Sequence, residues 1–151
     1  MTEVREDERF CVGQKAVILK GKDILLLRDP LPPPGAIDLP GGKIQVGERD
    51  FAKALQREVY EESRLTIKVG SPFFVSYWEF PNQSVHRNRG KKIFLVFYAC
   101  RYQAGTVKIS DEHDWFGWVD KNSFRTKFPR QTNICQAIES YFGQGLDRKQ
   151  L

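Results

Sequence analysis

The tract Pro30–Gly42, PLPPPGAIDLPGG, holds five prolines and three glycines in thirteen residues. Proline fixes φ and lacks a backbone N–H, so such a run suits neither a helix nor a central strand. It therefore separates two parts of the chain whose patterns are unlike. Ahead of it, the apolar runs Ala16–Leu19 and Ile24–Leu27 flank Lys20-Gly21-Lys22-Asp23, which predicts a β-hairpin with a four-residue turn. Behind it, a helix is predicted from Arg49 or Asp50 to Ser63, with the aspartate placed to cap the first turn. A loop this stiff, lying within a domain, usually holds something in place.

The rest of the chain continues the alternation. Phe73–Phe80 and Lys92–Tyr102 are rich in aromatic and branched residues and read as strands, and Trp115–Asp120 as a shorter one. Ile134, Ala137, Ile138, Tyr141 and Phe142 repeat at helical spacing, and Gly143 stands where a C′ glycine would end that helix. Strands, helix, strands, helix predict one α/β (α+β) domain over residues 1–151 with a mixed sheet. The strand Phe73–Phe80 is compatible with either a monomer or a homodimer, because burial within the monomer accounts for its aromatics equally well.

Composition narrows the class. The N-terminus is charged, no apolar run reaches the length of a membrane span, and the three cysteines, Cys11, Cys100 and Cys135, are too scattered for a metal motif. Free thiols in a cytoplasmic protein are the expectation. The net charge of +5 suits an anionic partner. Basic residues gather only at His86–Lys92, either a solvated hairpin tip or a clamp for phosphates, and they form no continuous stripe for a long nucleic acid.

Against that basic background, Arg57–Ser63 reads REVYEES, with Glu58, Glu61 and Glu62 at i, i+3 and i+4. Like charges at this spacing repel by roughly 0.2–0.5 kcal/mol per pair. At about 100° per residue the three fall on the same face as Phe51 and Leu55, while Lys53, Gln56, Arg57, Tyr60 and Arg64 take the opposite one. Carboxylates turned toward the body of a protein need a cation. Three oxygen donors with no His or Cys beside them suit a hard ion, Mg²⁺ or Mn²⁺.

Leu39–Leu65, LPGGKIQVGERDFAKALQREVYEESRL, resembles the Nudix box, G-x5-E-x7-R-E-U-x-E-E-x-G-U with U a bulky aliphatic residue. Gly42 and Glu48 match its first part, and Arg57, Glu58, Val59, Glu61, Glu62 and Leu65 its second. Eight residues rather than seven separate Glu48 from Arg57, Arg64 replaces the terminal glycine, and Ile37 stands where a tryptophan is common. The resemblance implies a Nudix-type α/β/α sandwich and a divalent-metal-dependent pyrophosphohydrolase. It implies that Glu58, Glu61, Glu62 and Glu48 serve the metal, that Arg57 holds a carboxylate, and that Gly41 and Gly42 let the loop approach phosphates. Glu61, Glu58 and Arg57 would then belong to the catalytic set. Glu112, in SDEHDWFGW, resembles the family's acidic loop and is a second candidate to take the proton of the attacking water, or else an exposed loop residue.

For the substrate, Lys91 and Lys92 are candidate polyphosphate contacts, and Phe74, Tyr77, Trp78, Phe80 and Trp115 candidate base stackers. Alternation along a strand sends about half of such aromatics to the core. The expected substrate is a small nucleotide, foremost a (d)NTP. Alternatives are a dinucleoside polyphosphate, and ADP-ribose or NADH: Pro81 stands near the place where ADP-ribose hydrolases carry a proline, and SYWEFPNQS faintly resembles the NADH-pyrophosphatase signature. A capped RNA end, or a non-catalytic nucleotide- or RNA-binding module of the same fold, is the competing reading.

Overall fold

The computed structural model describes residues 2–30, 35–82, 89–128 and 132–149. Its elements are β1 (Cys11–Lys20), β2 (Asp23–Arg28), β3 (Ile37–Asp38), β4 (Gly41–Lys43), α1 (Phe51–Ser63), β5 (Thr66–Glu79), β6 (Lys92–Ala104), β7 (Trp115–Val119), α2 (Lys121–Lys127) and α3 (Asn133–Gly143). A single 3₁₀ turn, Leu146–Arg148, follows α3. The strands form one mixed sheet in the order β3-β2-β1-β6-β5, with β4 also pairing β1 and β7 pairing β2. β1 and β6 run parallel, and the remaining pairs are antiparallel.

Alternation along β1 builds a core on each face of the sheet. Ala16 and Ile18 pack with Leu55 and Val59 of α1. Val17 and Leu19 pack with Ile134, Ile138 and Phe142 of α3. The mixed sheet predicted from the pattern is therefore observed, and it lies between helices as the resemblance implies. No helix among the described residues is long and apolar enough to cross a membrane.

Local details differ from expectation for identifiable reasons. The first hairpin closes through a two-residue turn, because Lys20 pairs with Asp23 and Gly21 takes a left-handed φ of 64°. The Pro-poor end of the Pro/Gly tract is not all loop: β3 and β4 lie within it and pair with β2 and β1. Residues 31–34 of that tract and residues 86–88 of the basic cluster lie outside the described residues. Helix α2 had no legible period, since Phe124 is the one apolar residue among its seven. Gly143 belongs to α3, and the left-handed residue is Gly145, with φ 69°. Phe51, at the open N-terminal end of α1, is 49% exposed and does not share the buried face.

Candidate active site

The predicted acidic helix forms as α1, capped by Asp50, whose side chain accepts from Lys53 N at 3.1 Å. Its buried residues, Ala54, Leu55, Val59, Glu62 and Ser63, bring one glutamate fully inside. The helix ends at Arg64, which adopts φ 65°, ψ 16° and donates its N–H to the Tyr60 carbonyl at 2.9 Å. Arg64 thus performs the left-handed termination for which glycine is favoured, with its guanidinium 5.1 Å from the Tyr60 ring.

Arg57 organises the carboxylates. Its Nε donates to Glu48 Oε1 at 2.7 Å and Nη2 to Glu48 Oε2 at 3.1 Å, a bidentate pair. Nη2 also reaches Glu58 Oε1 at 2.8 Å, and Nη1 both Glu61 oxygens at 3.2 Å. The extra residue after Glu48 is absorbed ahead of the helix, because α1 is regular from Phe51 and Glu48 still meets Arg57. The Arg57 hydrogen bond, foremost, holds the Glu48 carboxyl below its ordinary value. Burial pushes the Glu58 carboxyl up, partly opposed by Arg57.

Glu62 is 7% exposed and accepts the Gly41 N–H at 3.1 Å. Burial, reinforced by the charge of Asp38 and opposed by Lys15, pushes its carboxyl up to about 7. The two glycines permit this approach. A Cβ on Gly42 would lie 2.2 Å from Glu58 Oε2, and one on Gly41, at φ 156°, 1.9 Å from the Gln14 carbonyl oxygen.

These groups open on a cleft of about 630 Å³, a size typical of small-molecule sites. Glu58, Glu61, Glu62, Gly41, Gly42, Glu112, Lys91 and Trp78 all line it. Glu48 and Arg57 do not line it, and both Glu48 oxygens are engaged by Arg57. Tyr77 and Lys92 are not brought to it either. Tyr77 points to the opposite face of β5 from Trp78 and packs edge-on against Phe10, 5.9 Å between centroids. Lys92 pairs with Glu8. Of the other aromatic candidates, Phe80 lines the cleft, while Phe74 and Trp115 pack against the core.

A polar chain absent from the sequence expectations joins the cleft wall. Lys15 Nζ contacts Asp38 Oδ1 at 2.9 Å and the Leu39 carbonyl at 3.1 Å. Asp38 Oδ2 lies 3.2 Å from His113 Nε2. Burial opposes ionisation of Asp38, but Lys15 and His113 outweigh it and hold the carboxyl well below the usual range. For His113, burial pulls the other way, yet Asp38 and Glu62 raise its value above the ordinary one. The legible signal was a lysine set at the inner end of an apolar strand, in QKAVIL.

The donors present suit a hard divalent cation in kind. They are carboxylate oxygens on one cleft, one of them buried and raised toward neutrality. As they stand, no three His, Cys, Asp or Glu side chains among the described residues converge into a ready coordination shell. Arg57 spans Glu58 and Glu61 instead.

The sequence model of the NUDIX domain matches residues 10–136. The chain belongs to the Nudix family. A NAD-capped RNA hydrolase NudC of Haemophilus influenzae (strain PittEE) is 31% identical over 116 residues, covering 72% of this chain and 40% of that protein. The NudC of Mannheimia succiniciproducens is 26% identical over 138 residues, 85% of this chain and 46% of that one. The chain thus spans less than half the length of the curated relatives it matches. Among solved structures, a NUDIX hydrolase from Nitrosomonas europaea superposes with a TM-score of 0.70 at 21% identity, over 95% of this chain and 97% of that one. At that identity the likeness is one of fold, and the Nudix α/β/α architecture is the one observed here.

Proposed function

We propose that this Nudix protein is a divalent-metal-dependent pyrophosphohydrolase acting on a small nucleotide. One observation carries the reading: the cleft sets Glu58, Glu61, Glu62 and Glu112 together with the cation of Lys91 and the rings of Trp78 and Phe80. Glu58, Glu61 and Glu62 hold Mg²⁺ or Mn²⁺, and Glu48 orients Arg57, which in turn positions Glu58 and Glu61. A divalent ion held by these carboxylates would supply charge neutralisation at the diphosphate and a lowered pKa for the attacking water. Glu112 accepts the proton of the attacking water, Lys91 takes a phosphate, and Gly41 and Gly42 let backbone approach the phosphate oxygens. Trp78 stacks on the base. With Cys100 and Cys135 buried and in no disulfide, the enzyme suits the reducing cytoplasm.

A (d)NTP satisfies this layout with one base site and one polyphosphate run. A second reading, a dinucleotide diphosphate such as NADH, is favoured by the NudC relatives and by SYWEFP, which places Trp78 and Phe80 on the cleft. Phosphate and pyrophosphate release from (d)NTPs, against mononucleotide release from NADH and ADP-ribose, distinguishes the two. A parent protein that turns over neither class with Mg²⁺ or Mn²⁺ contradicts the proposal.

A further inference from the structure

Glu112 is exposed on a loop, a poor support for a group that must stand opposite a fixed set of carboxylates. The surrounding loop is nonetheless tied down at several points. Lys108 N and Ser110 N donate to the Ser63 and Glu62 carbonyls at 2.9 and 3.2 Å, joining the loop to the end of α1. Asp114 N donates to the Arg28 carbonyl at 3.2 Å, and Asp114 also pairs with Arg28 Nε at 2.8 Å. Between these ties only His113 enters the interior, 5% exposed, while Asp111, Glu112 and Asp114 stay outside. Its ring meets Asp38, and Asp38 is fixed by Lys15 from the centre of the sheet and by the N–H of Leu39 at 2.8 Å.

We propose that His113 is a positioning residue, the inner anchor through which the Lys15–Asp38 pair holds the Ser110–Asp114 loop so that Glu112 faces the carboxylates of α1. The inference rests on the role proposed above for Glu112. The same Asp38 also accepts the N–H of Leu39, two residues ahead of Gly41, so one carboxylate contacts both the segment leading into the glycines and the acidic loop. Neither Lys15 nor His113 needs to touch substrate for this. The anchor acts by geometry, and a shift of about 1 Å in a reacting group can cost about 10²-fold in rate.

The test combines a double-mutant cycle with amide exchange. Glu112→Gln, His113→Ala and the double variant are compared for kcat and KM on whichever nucleotide the parent hydrolyses. His113→Gln, which keeps an N–H donor for Asp38, guards against a simple folding defect. Expected are a kcat loss in His113→Ala of about 10²-fold, KM within twofold, no further loss in the Glu112→Gln background, and substantial recovery in His113→Gln. Faster exchange at the amides of residues 110–114 in His113→Ala, with Mn²⁺ affinity unchanged, completes the expectation. Losses that multiply in the double variant overturn the proposal, as does full activity of Glu112→Gln beside a crippled His113→Ala. Exchange needs no turnover, so unchanged protection of the loop overturns the anchor even if the parent hydrolyses nothing on the panel.

Discussion

Glu62 sets position against charge. Its carboxyl lies in the cleft wall, where burial pushes it up to about 7 from 4.5. A folded-state value above the unfolded one means that its contribution to stability is complete below about pH 4.5 and is lost as pH rises through 7. The shift corresponds to at most about 3 kcal/mol. His113, also raised, works in the same sense. Metal-free protein should therefore lose thermal stability between pH 5 and 8, and Glu62→Gln should flatten that slope; an equally steep slope in the variant would show that the buried carboxyl is not its source. Catalysis should respond oppositely, with Glu61→Gln and Glu62→Gln each lowering kcat by about 10²–10³-fold while the fold survives. Circular dichroism and steady-state kinetics on the same samples check both halves. The shared face of Glu58, Glu61 and Glu62 was legible from helical spacing, but the expected inward turn holds fully only for Glu62, Glu61 remaining exposed at the rim of the cleft. Asp38 and His113 were not legible, because they meet across 75 positions and only the folded chain brings them together; Lys15 offered only the weak signal of a lysine ahead of an apolar run.

Helix α1 carries most of the site, so its ends matter more than its propensity. Replacing Asp50 by Ala removes the acceptor for Lys53 N and should cost about 1 kcal/mol in urea unfolding. Arg64→Gly should do the reverse, stabilising by up to about 1 kcal/mol, since a residue with a Cβ at φ 65° is disfavoured there. A loss of stability in that variant would mean that the contact of Arg64 with the Tyr60 ring outweighs the backbone strain. The element's limits were readable from Asp50 and from the acidic run. The end at Ser63 was readable too, but not its left-handed geometry, because the sequence offers arginine where glycine is favoured; Lys108 N on the Ser63 carbonyl is among the contacts made at that turn. Alternation within β5 likewise decides which ring meets the cleft: Trp78 and Tyr77 are neighbours in sequence, yet of the two only Trp78 reaches it.

At the scale of the whole molecule, the mixed sheet was legible from the order of the runs and the sandwich from the resemblance of the box, whereas α2 and the short strands β3 and β4 carried too few apolar residues to show a period. The cleft itself could not be read, because α1, strands β1, β3, β4, β5 and β6, the start of α3 and the loops between them all contribute to its lining. Its apolar wall predicts that Trp78→Ala raises KM more than it lowers kcat, a split measurable on any nucleotide that is turned over. The central claim is tested most directly by offering the purified protein (d)NTPs, dinucleoside polyphosphates, ADP-ribose and NADH with Mg²⁺ or Mn²⁺, and again with EDTA. Turnover of at least one class that EDTA abolishes is the predicted result. Tight nucleotide binding with no metal-dependent hydrolysis of any of them would contradict it, and would make the chain a Nudix-fold binding module.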